Sequence, residues 1–462
     1  MSKTIIALSP TGMLSSGFPI ESFRKGLNFN PDFVGVDSGS TDVGPYFLGS
    51  GESAGSRASM KKYLTILIKE TRNRGIPLLI GSAGTAGGDP HVKWMRDIIA
   101  EIASDENIKF RMAVIHSEQN KKFLKNKLSN GKIKPLNPWG FKKDYEISEQ
   151  SIDRATRIVG VMGAEPFIEA LKEDVDIVLA GRSTDTAIFA SIPLMEGIPP
   201  EVAWHMAKIL ECGAAAVQNR PEDECLLAKI TDKYFEVFPP NELLRCTPQS
   251  VRSHMLYENP SPFHLYEPSG MLDTSKSTYQ AIDERTVRVS GSKWVPGESY
   301  TIKLEGVELI GYKAVFVAGI RDPILISEID NFLSRARGTW KKKIMMAYPE
   351  LKDEDYNVII KIYGKDAVMG PMETNFSVNP KEVGVLGIVI APSEIYAQGI
   401  AYIVYRVLLH QHYGHFSGLL TGLAVPLSPE ILNGGPAYKF TFNHLVLPDS
   451  PLEMFKTEIE EF

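Results

Sequence analysis

The feature that most constrains the fold is a unit that repeats through residues 1–200: a short apolar run, a polar loop and then a segment of helical periodicity. The apolar runs are 4–8, 33–36, 78–80, 110–115, 158–162 and 176–180. Parallel strands need crossover connections, and right-handed crossovers place helices outside the sheet. The pattern therefore predicts a doubly wound α/β domain with a parallel sheet over residues 1–225, with ligands beyond the carboxyl ends of the strands.

The pattern changes near residue 226, where an alternating apolar segment, an irregular aromatic loop and further strand-like runs follow one another. Towards the C-terminus the predicted order is β-α-β-β-α-β, the split βαβ arrangement of ferredoxin-like folds. The segments in this order are 313–318, 324–346, 358–363, 385–390, 393–409 and 439–446. We therefore predict an α+β domain over residues 226–462 and an α/β fold class for the chain.

The charge and composition of the chain limit the kinds of molecule that it is expected to bind. The chain has 462 residues and a formal net charge of −6, which does not favour general binding to nucleic acid or to an anionic membrane. No apolar stretch reaches the length of a membrane span, and the N-terminal apolar run is too short for a signal peptide. Cys212, Cys225 and Cys246 are odd in number and widely spaced, so we expect free thiols. These features predict a cytoplasmic protein.

The stretch 77–91 is an apolar run that breaks into a glycine-rich loop and then into an amphipathic pattern. Glycines let backbone N–H groups approach an anion, and the start of the following helix adds partial positive charge. The spacing matches neither the dinucleotide G-x-G-x-x-G nor a P-loop. The loop is therefore either a site for a phosphate or carboxylate, or a tight turn that Asp89 caps. Its expected substrate-binding residues are Gly84, Thr85, Gly87 and Gly88.

Two further polar loops follow predicted strands, at 37–51 and 181–186. The carboxyl ends of parallel strands meet at one edge of a sheet, so we predict that the loops share a cleft. Arg182 either clamps a substrate carboxylate in bidentate fashion or forms an ion pair with an Asp of a neighbouring loop. No His–Asp pair is identified beside a serine, so we propose no nucleophilic serine. The other expected substrate contacts are Ser38, Thr41, Ser183 and Thr184.

Four aspartates stand at the predicted strand ends, namely Asp37, Asp42, Asp89 and Asp185. Close carboxylates either share a proton or hold a divalent cation such as Mg²⁺ through oxygen, and helix capping is the simpler alternative. We assign Asp37 and Asp42 to a metal site, and Asp89 and Asp185 to acid–base catalysis. His91 is the predicted general acid or base, unless it only caps the turn or faces solvent.

Lys303 and Glu305 add a second candidate pair. They alternate with apolar residues on a predicted strand, so both charges point to one face. Such a pair is either a solvated edge pair or, when buried, a proton-transfer couple, and we include both residues among the catalytic candidates. The aromatic, proline-rich segment 257–268 is predicted to form a lid or wall of the site.

Five segments, read as an ordered set, resemble one known family. The most specific is Tyr-Thr-Ile-Lys-Leu-Glu-Gly at 300–306, and the others are 35–51, 254–259, 286–292 and 319–323. Together they resemble the acyclic terpene utilisation AtuA family over nearly the whole chain. The resemblance implies a role in the catabolism of acyclic terpenes such as citronellol and geraniol, or of small carboxylic acids.

The resemblance also bears on partners. Some relatives carry a small ferredoxin-like domain at the C-terminus, and this chain ends at residue 462 without one. We therefore expect that piece as a separate small partner subunit. A homo-oligomer is expected from the general frequency of symmetric assemblies among soluble proteins.

Two functions follow from these observations. The first is an enzyme that acts on a small carboxylic acid or its acyl thioester, an anionic substrate, by lyase- or hydratase-type chemistry. Acidic and imidazole groups move protons next to a carbonyl, whereas no nicotinamide or flavin fingerprint is present in the sequence. The second is a non-catalytic ligand-binding or assembly subunit that works with the ferredoxin-like partner.

Overall fold

The computed structural model describes residues 4–136, 147–220, 223–259, 261–375, 380–412 and 422–462. The chain forms two compact units. The first unit is Met1–Glu308 with Phe440–Phe462, and the second unit is Leu309–Lys439. The division expected at residues 225/226 instead lies inside the first unit. The reason is that Leu226–Ile230 is apolar, is mostly buried and pairs with the first strand of the chain.

The elements of the described residues are labelled in chain order. The strands are β1 (Ile5–Ser9), β2 (Phe33–Asp37), β3 (Leu78–Gly81), β4 (Arg111–Ile115), β5 (Ile133–Pro135), β6 (Arg157–Val161), β7 (Ile177–Ala180), β8 (Val217–Gln218), β9 (Leu226–Ile230), β10 (Tyr234–Phe238), β11 (Arg245–Cys246), β12 (His264–Glu267), β13 (Gly270–Asp273), β14 (Thr278–Ala281), β15 (Val287–Ser290), β16 (Lys293–Pro296), β17 (Ile302–Ile320), β18 (Asn357–Tyr363), β19 (Val383–Ala391), β20 (Leu432–Val446) and β21 (Thr457–Glu461). The α-helices are α1 (Ile20–Leu27), α2 (Pro45–Ser50), α3 (Arg57–Arg72), α4 (Asp89–Glu106), α5 (Lys121–Ser129), α6 (Glu149–Arg154), α7 (Glu165–Leu171), α8 (Asp185–Met195), α9 (Pro200–Leu210), α10 (Pro248–His254), α11 (Pro323–Ser327), α12 (Ile329–Ala347) and α13 (Glu394–His410).

The first unit is built on a ten-stranded sheet in the order β14-β15-β10-β9-β1-β2-β3-β7-β4-β21. Its centre is parallel, because β1, β2, β3, β7 and β4 pair in parallel along that order. Antiparallel strands extend the sheet on both sides, β9 beyond β1 and β21 beyond β4. The mixed α/β class predicted from the repeating unit is confirmed.

One predicted strand lies elsewhere. The run 158–162 forms β6, which pairs antiparallel with Lys303–Val307 of β17 and not with the parallel strands. β6 is buried along almost its whole length, like a central parallel strand, so its apolar sequence does not reveal which sheet it joins.

Helices cover both faces of the parallel sheet because its strands are apolar on both sides. On one face Leu78 and Ile80 pack with Met95 of α4 in the cluster that also contains the buried residues of α1 and α3. On the other face Leu79 packs with Phe189 in the cluster that contains α7, α8 and α9. This arrangement leaves the carboxyl ends of the strands, with their polar loops, uncovered by the helical layers.

The second unit contains the end of β17, then α11, α12, β18, β19, α13 and the start of β20. Its strands are ordered β18-β19-β17-β20, which is the spatial order of a split βαβ unit. Its core packs Phe316 of the sheet with Trp340 of α12 and Val404 of α13. Across the described ranges of both units, no helix has the length and apolar character needed to cross a bilayer.

Candidate functional site

A cavity of about 690 Å³ opens at the carboxyl ends of β1 and β2, and we call it the strand-end cavity. Asp37 is the last residue of β2, and Asp185 is the first residue of α8, where Thr184 caps the helix by accepting a hydrogen bond from the N–H of Ala187. Two polar loops therefore deliver carboxylates to one space. The side chains that line this cavity include those of Asp37, Asp42, Asp185, Cys212, His254 and Tyr257.

Asp37 has an unusual environment. Its carboxyl group is buried, and within the described part of the chain its Oδ1 atom has no hydrogen-bond partner. Burial, together with the nearby Asp185 carboxylate, raises the pKa of Asp37 well above its ordinary value. Burial also raises the pKa of Asp185, although Arg182 opposes that shift. The pair can therefore share a proton or bind a cation, because two close carboxylates do not both remain ionised unaided.

Arg182 and Glu305 form a buried ion pair beside this cavity. The Nε atom of Arg182 lies 2.9 Å from Oε2 of Glu305, and Nη1 lies 3.0 Å from Oγ of Ser82. Glu305 also accepts hydrogen bonds from Thr41 Oγ1 at 3.0 Å and from Lys303 Nζ at 2.9 Å. Burial alone would raise the pKa of Glu305, but Arg182 and Lys303 together lower it to about 2. Glu305 is therefore a permanent anion that joins two loops, at Thr41 and at Arg182, to β17.

Lys208 and Glu211 form a second buried ion pair at the end of α9. Burial raises the pKa of Glu211 to about 8, with Asp185 adding to the effect and Lys208 opposing it. Burial also raises the pKa of the adjacent Cys212 thiol, and Glu211 contributes to that shift. The pKa of His254 is lowered to about 3, mainly by burial and then by Lys208. A neutral imidazole thus stands beside the buried Lys208–Glu211 pair.

A second cavity, of about 510 Å³, adjoins the same loop, and we call it the apolar cavity. Val161, Met271 and Leu445 are among its apolar walls, and Glu267, Thr184 and Lys303 are among its polar ones. Glu267 accepts hydrogen bonds from Thr184 Oγ1 at 2.9 Å and from Thr186. Burial raises the pKa of Glu267 to about 8 against the effect of these threonines. A carboxyl group that is protonated near neutral pH therefore lines an apolar space.

The loop 182–185 separates the two cavities. Thr184 lines the apolar cavity, whereas the next residue, Asp185, lines the strand-end cavity. The segment 257–268 contributes to both, since Tyr257 lines the strand-end cavity and Tyr266 lines the apolar cavity. Of the four predicted aspartates, the structure brings Asp37, Asp42 and Asp185 to one cavity and places Asp89 elsewhere.

The glycine-rich loop is packed against the end of β7. Gly84, Thr85 and Gly87 have positive φ values of 59°, 96° and 66°. A Cβ atom on Gly87 would lie 2.1 Å from the backbone nitrogen of Arg182. The N–H of Gly84 donates to Met95 Sδ, and Thr85 Oγ1 accepts from Ala54 N at 2.8 Å. These contacts turn the loop towards the protein interior, and the structure does not bring it to either cavity.

Three further predicted residues line neither cavity. Gly88 precedes α4, and a Cβ atom there would lie 2.7 Å from the side chain of Arg157. Ser38 Oγ donates to Met95 Sδ, at 3.3 Å. The Oγ atom of Ser183 is buried and has no hydrogen-bond partner among the described residues.

Asp89 and His91 begin α4 and lie apart from both cavities. Asp89 Oδ1 is 2.8 Å from Nδ1 of His116, and this hydrogen bond raises the pKa of His116, which burial opposes. His91 is buried, and its Nε2 atom lies 3.1 Å from the carbonyl of Phe47 and 3.0 Å from that of Glu52. Burial lowers the pKa of His91, so the imidazole is neutral and acts as a hydrogen-bond donor to the preceding loop.

Sequence reasoning missed most of the titratable groups around the two cavities. Lys208 lies in the last turn of the apolar helix α9, Glu211 and Cys212 directly follow that helix, His254 ends α10, and Glu267 ends β12. They are distant in sequence and form no spaced motif. The one available signal was the adjacent pair Glu211–Cys212 at the end of a strongly apolar helix, where charged residues are rarely buried without a partner.

The comparisons with known proteins concern the central part of the chain. Residues 50–214 match the family model described as "Acyclic terpene utilisation family protein AtuA". The matched range contains Arg182, Asp185 and Cys212, and it excludes Asp37 and Glu267. No curated protein and no solved structure matches the chain. The resemblance that the sequence motifs indicated is thus confirmed over this range.

Proposed function

Because residues 50–214 match the acyclic terpene utilisation AtuA family model, we propose that the chain belongs to this family and is a catabolic enzyme. Its proposed substrate is a small carboxylic acid, or the corresponding acyl thioester, and its proposed reaction is of lyase or hydratase type. One observation carries the proposal: buried carboxyl groups around the loop 182–185 have pKa values pushed apart, to about 2 for Glu305 and to about 8 for Glu267. Such divergence is characteristic of acid–base sites.

The chemistry needs one group that gives a proton and one that accepts it. In hydration of a double bond next to a carbonyl, a base takes a proton from water as the water oxygen bonds to the β carbon. The π electrons then take up a proton at the α carbon from an acid, and elimination is the reverse. Glu267 is proposed for both roles, since its pKa lies near neutral pH: its carboxyl group gives a proton to the α carbon, and the carboxylate so formed takes the proton released by the attacking water. Glu305 remains ionised and has the role of holding Arg182 and Lys303.

The apolar cavity supports the choice of substrate. Its volume of about 510 Å³ lies within the range of small-molecule sites, about 300–1,000 Å³. Its apolar walls suit a branched hydrocarbon chain, and Lys303 and Thr184 offer donors to a carboxylate or thioester carbonyl at its polar side. Lys303 is the better anion-binding candidate, because its side chain is 47% exposed whereas that of Arg182 is buried in its ion pair.

The proposal is tested with a panel of branched, unsaturated acids and acyl thioesters, followed first by thermal stabilisation and then by turnover. A ligand present at a hundred times its Kd stabilises the folded protein by about 2.7 kcal/mol. Glu267→Gln should bind the same ligand and lose turnover by roughly 10²- to 10⁴-fold. Glu169→Gln, an exposed carboxylate on α7, is the matched control. A folded Glu267→Gln protein with full turnover would remove the assignment.

A second candidate function, a non-catalytic ligand-binding or assembly subunit, has one structural observation in its favour. In the second unit, Val385 and Val389 of β19 pack with the helices, whereas the alternate residues Leu386, Ile388 and Ile390 point to the other face and are only half-buried. An apolar sheet face of this kind suits a small ferredoxin-like partner. Co-purification separates the two functions: turnover by the isolated chain supports the enzyme, and turnover only after mixing supports the assembly subunit.

We also propose that the protein works in the cytoplasm. Cys212, Cys225 and Cys246 are all free thiols, and oxidising compartments favour disulfides. Cell fractionation with an antibody against the chain tests this, and recovery in an oxidising compartment would contradict it.

A further inference from the structure

Three side chains of different chemistry converge at the wall of the strand-end cavity. Glu211 and Cys212 directly follow α9, and His254 is the last residue of α10. Each offers one possible ligand atom, a carboxylate oxygen, the Sγ atom and an imidazole nitrogen, and these three atoms lie within 4.8 Å of one another. Glu211 and His254 are buried, and Cys212 is half-buried. This spacing allows the three atoms to bind one ion.

An independent observation concerns His254. Its side chain is buried, with the residue only 5% exposed, and its Nε2 atom has no hydrogen-bond partner in the described part of the chain. The ring interacts with the backbone of Lys208, which is the kind of contact that orients a metal-binding histidine. His254 also lines the strand-end cavity. Buried polar nitrogens normally have a partner, so an orphan at this position indicates a missing ligand.

The donor set identifies the kind of ion. Thiolate and imidazole ligands select Zn²⁺ and related transition metals, whereas Mg²⁺ prefers oxygen. Cys212 and His254 both line the cavity, so a fourth position faces open space. We propose that Glu211, Cys212 and His254 bind a divalent transition metal ion of the zinc class, with its fourth coordination position open to the strand-end cavity. This site stands independently of the proposed function.

Local charge is compatible with a cation. Lys208 Nζ contacts Oε1 of Glu211, and Cys212 Sγ lies 3.9 Å from the same oxygen, so a bound cation would share the Glu211 carboxylate with Lys208. Asp185 and Glu258 act on Glu211 as negative neighbours and Lys208 as a positive one, and Arg220 acts on His254 as a second positive neighbour. Asp185 lies on the same cavity and can accept a hydrogen bond from a metal-bound water, which makes it a positioning residue for the open site.

Cobalt gives the sharpest test, because Co²⁺ replaces Zn²⁺ and its absorption reports the ligands. The full chain is treated with a chelator and titrated with Co²⁺ under reducing conditions. We expect one ion per chain, a near-ultraviolet sulfur-to-cobalt charge-transfer band and the intense visible bands of a four-coordinate ion. Zn²⁺ should displace the cobalt, and excess Mg²⁺ should leave the spectrum unchanged.

Variants identify the ligands. Cys212→Ser should abolish the charge-transfer band, and His254→Gln should weaken Co²⁺ binding by about 10-fold or more, since disturbing even the supporting contacts of metal ligands costs about 10- to 100-fold. Cys246→Ser is the matched control, because Cys246 is also a buried free thiol and lies outside the cluster. Circular dichroism checks folding, and His254→Gln alone decides the matter if Cys212→Ser does not fold.

Two outcomes overturn the site. One is the absence of a charge-transfer band in the folded wild-type protein at millimolar Co²⁺. The other is loss of the band in Cys246→Ser together with its retention in Cys212→Ser. The readout needs no turnover, so failure of the Glu267→Gln experiment leaves the metal site intact, and failure of the cobalt experiment leaves the proposed reaction intact.

Discussion

Two loops of the first unit follow buried parallel strands and both contain Ser and Thr, yet they differ in what they face. The loop 82–88 packs inwards, with Gly87 pressed against the backbone of Arg182. The loop 182–185 lies between two cavities and presents Thr184 to one and Asp185 to the other. Loop composition therefore shows that the backbone turns sharply, and only the neighbouring elements decide whether a loop reaches a ligand.

The largest expected effect tests the packed loop. Gly87→Ala should destabilise the protein by about 4 kcal/mol or more, because the new Cβ atom would meet backbone at 2.1 Å and the φ value of 66° is left-handed. Gly75→Ala is the matched control, with a φ value of 64° and nothing within 4 Å, and it should cost only about 1–2 kcal/mol. Urea unfolding measures both. Equal losses would show that strain alone, and not the contact with Arg182, limits this loop.

The next largest effect concerns the ion pair between Arg182, at the start of loop 182–185, and Glu305. Arg182→Ala should cost about 3–5 kcal/mol of unfolding free energy, because it leaves the buried Glu305 carboxylate without its main partner. Arg24→Ala, which removes a partly exposed ion pair, should cost about 0.2–1 kcal/mol. A loss below 1 kcal/mol for Arg182→Ala in the same urea experiment would mean that Glu305 becomes hydrated when the arginine is removed.

A smaller expected effect is a pH dependence of the unfolding free energy. Burial raises the pKa of Glu267 to about 8 from its ordinary value of 4.5, so the folded protein keeps a proton that the unfolded chain releases. Stability should therefore fall as pH rises from about 4.5 to about 8, and Glu267→Gln should reduce this fall by about 1–3 kcal/mol. Unfolding free energies measured across this range test the sign. A fall that persists undiminished in Glu267→Gln would show that Glu267 does not hold the proton.

The smallest expected effect on stability separates binding from packing. Lys303→Met should change the unfolding free energy by less than about 1 kcal/mol, because the side chain is half-exposed and Glu305 keeps Arg182 and Thr41. It should weaken the best carboxylate of the ligand panel by about 10-fold, which is roughly 1.4 kcal/mol. The methyl ester of that ligand, followed by calorimetry, is the control. Equal losses for acid and ester would exclude Lys303 as the anion contact.

The α/β class of the fold could be predicted, because apolar runs that alternate with helical patterns indicate strands that are buried on both faces of a sheet. The sequence could place Asp37 and Asp185 near each other. Asp37 ends a parallel strand, and Asp185 begins the helix that follows another parallel strand. The loop at Gly87 could not be excluded from the site, because a backbone that packs against Arg182 and one that binds an anion need the same glycines.

The other residues of the site could not be predicted, for a different physical reason. Glu211, His254 and Glu267 acquire their shifted pKa values from burial by elements distant in sequence. The residues next to a carboxylate in the sequence do not indicate whether folding will remove the water around it. The pairing of β9 with β1 could not be predicted either, because it joins residues more than two hundred positions apart.

The shared wall formed by loop 182–185 has a consequence for regulation. Two neighbouring residues of this loop line different cavities, so an occupant of either cavity that displaces the loop alters the shape and charge of the other cavity. Thermodynamic linkage then requires reciprocity: whatever factor an acyl ligand imposes on metal affinity, the metal must impose on acyl affinity. Binding in the strand-end cavity and binding in the apolar cavity would then be coupled, and a compound that fills one cavity would be an allosteric modulator of binding in the other.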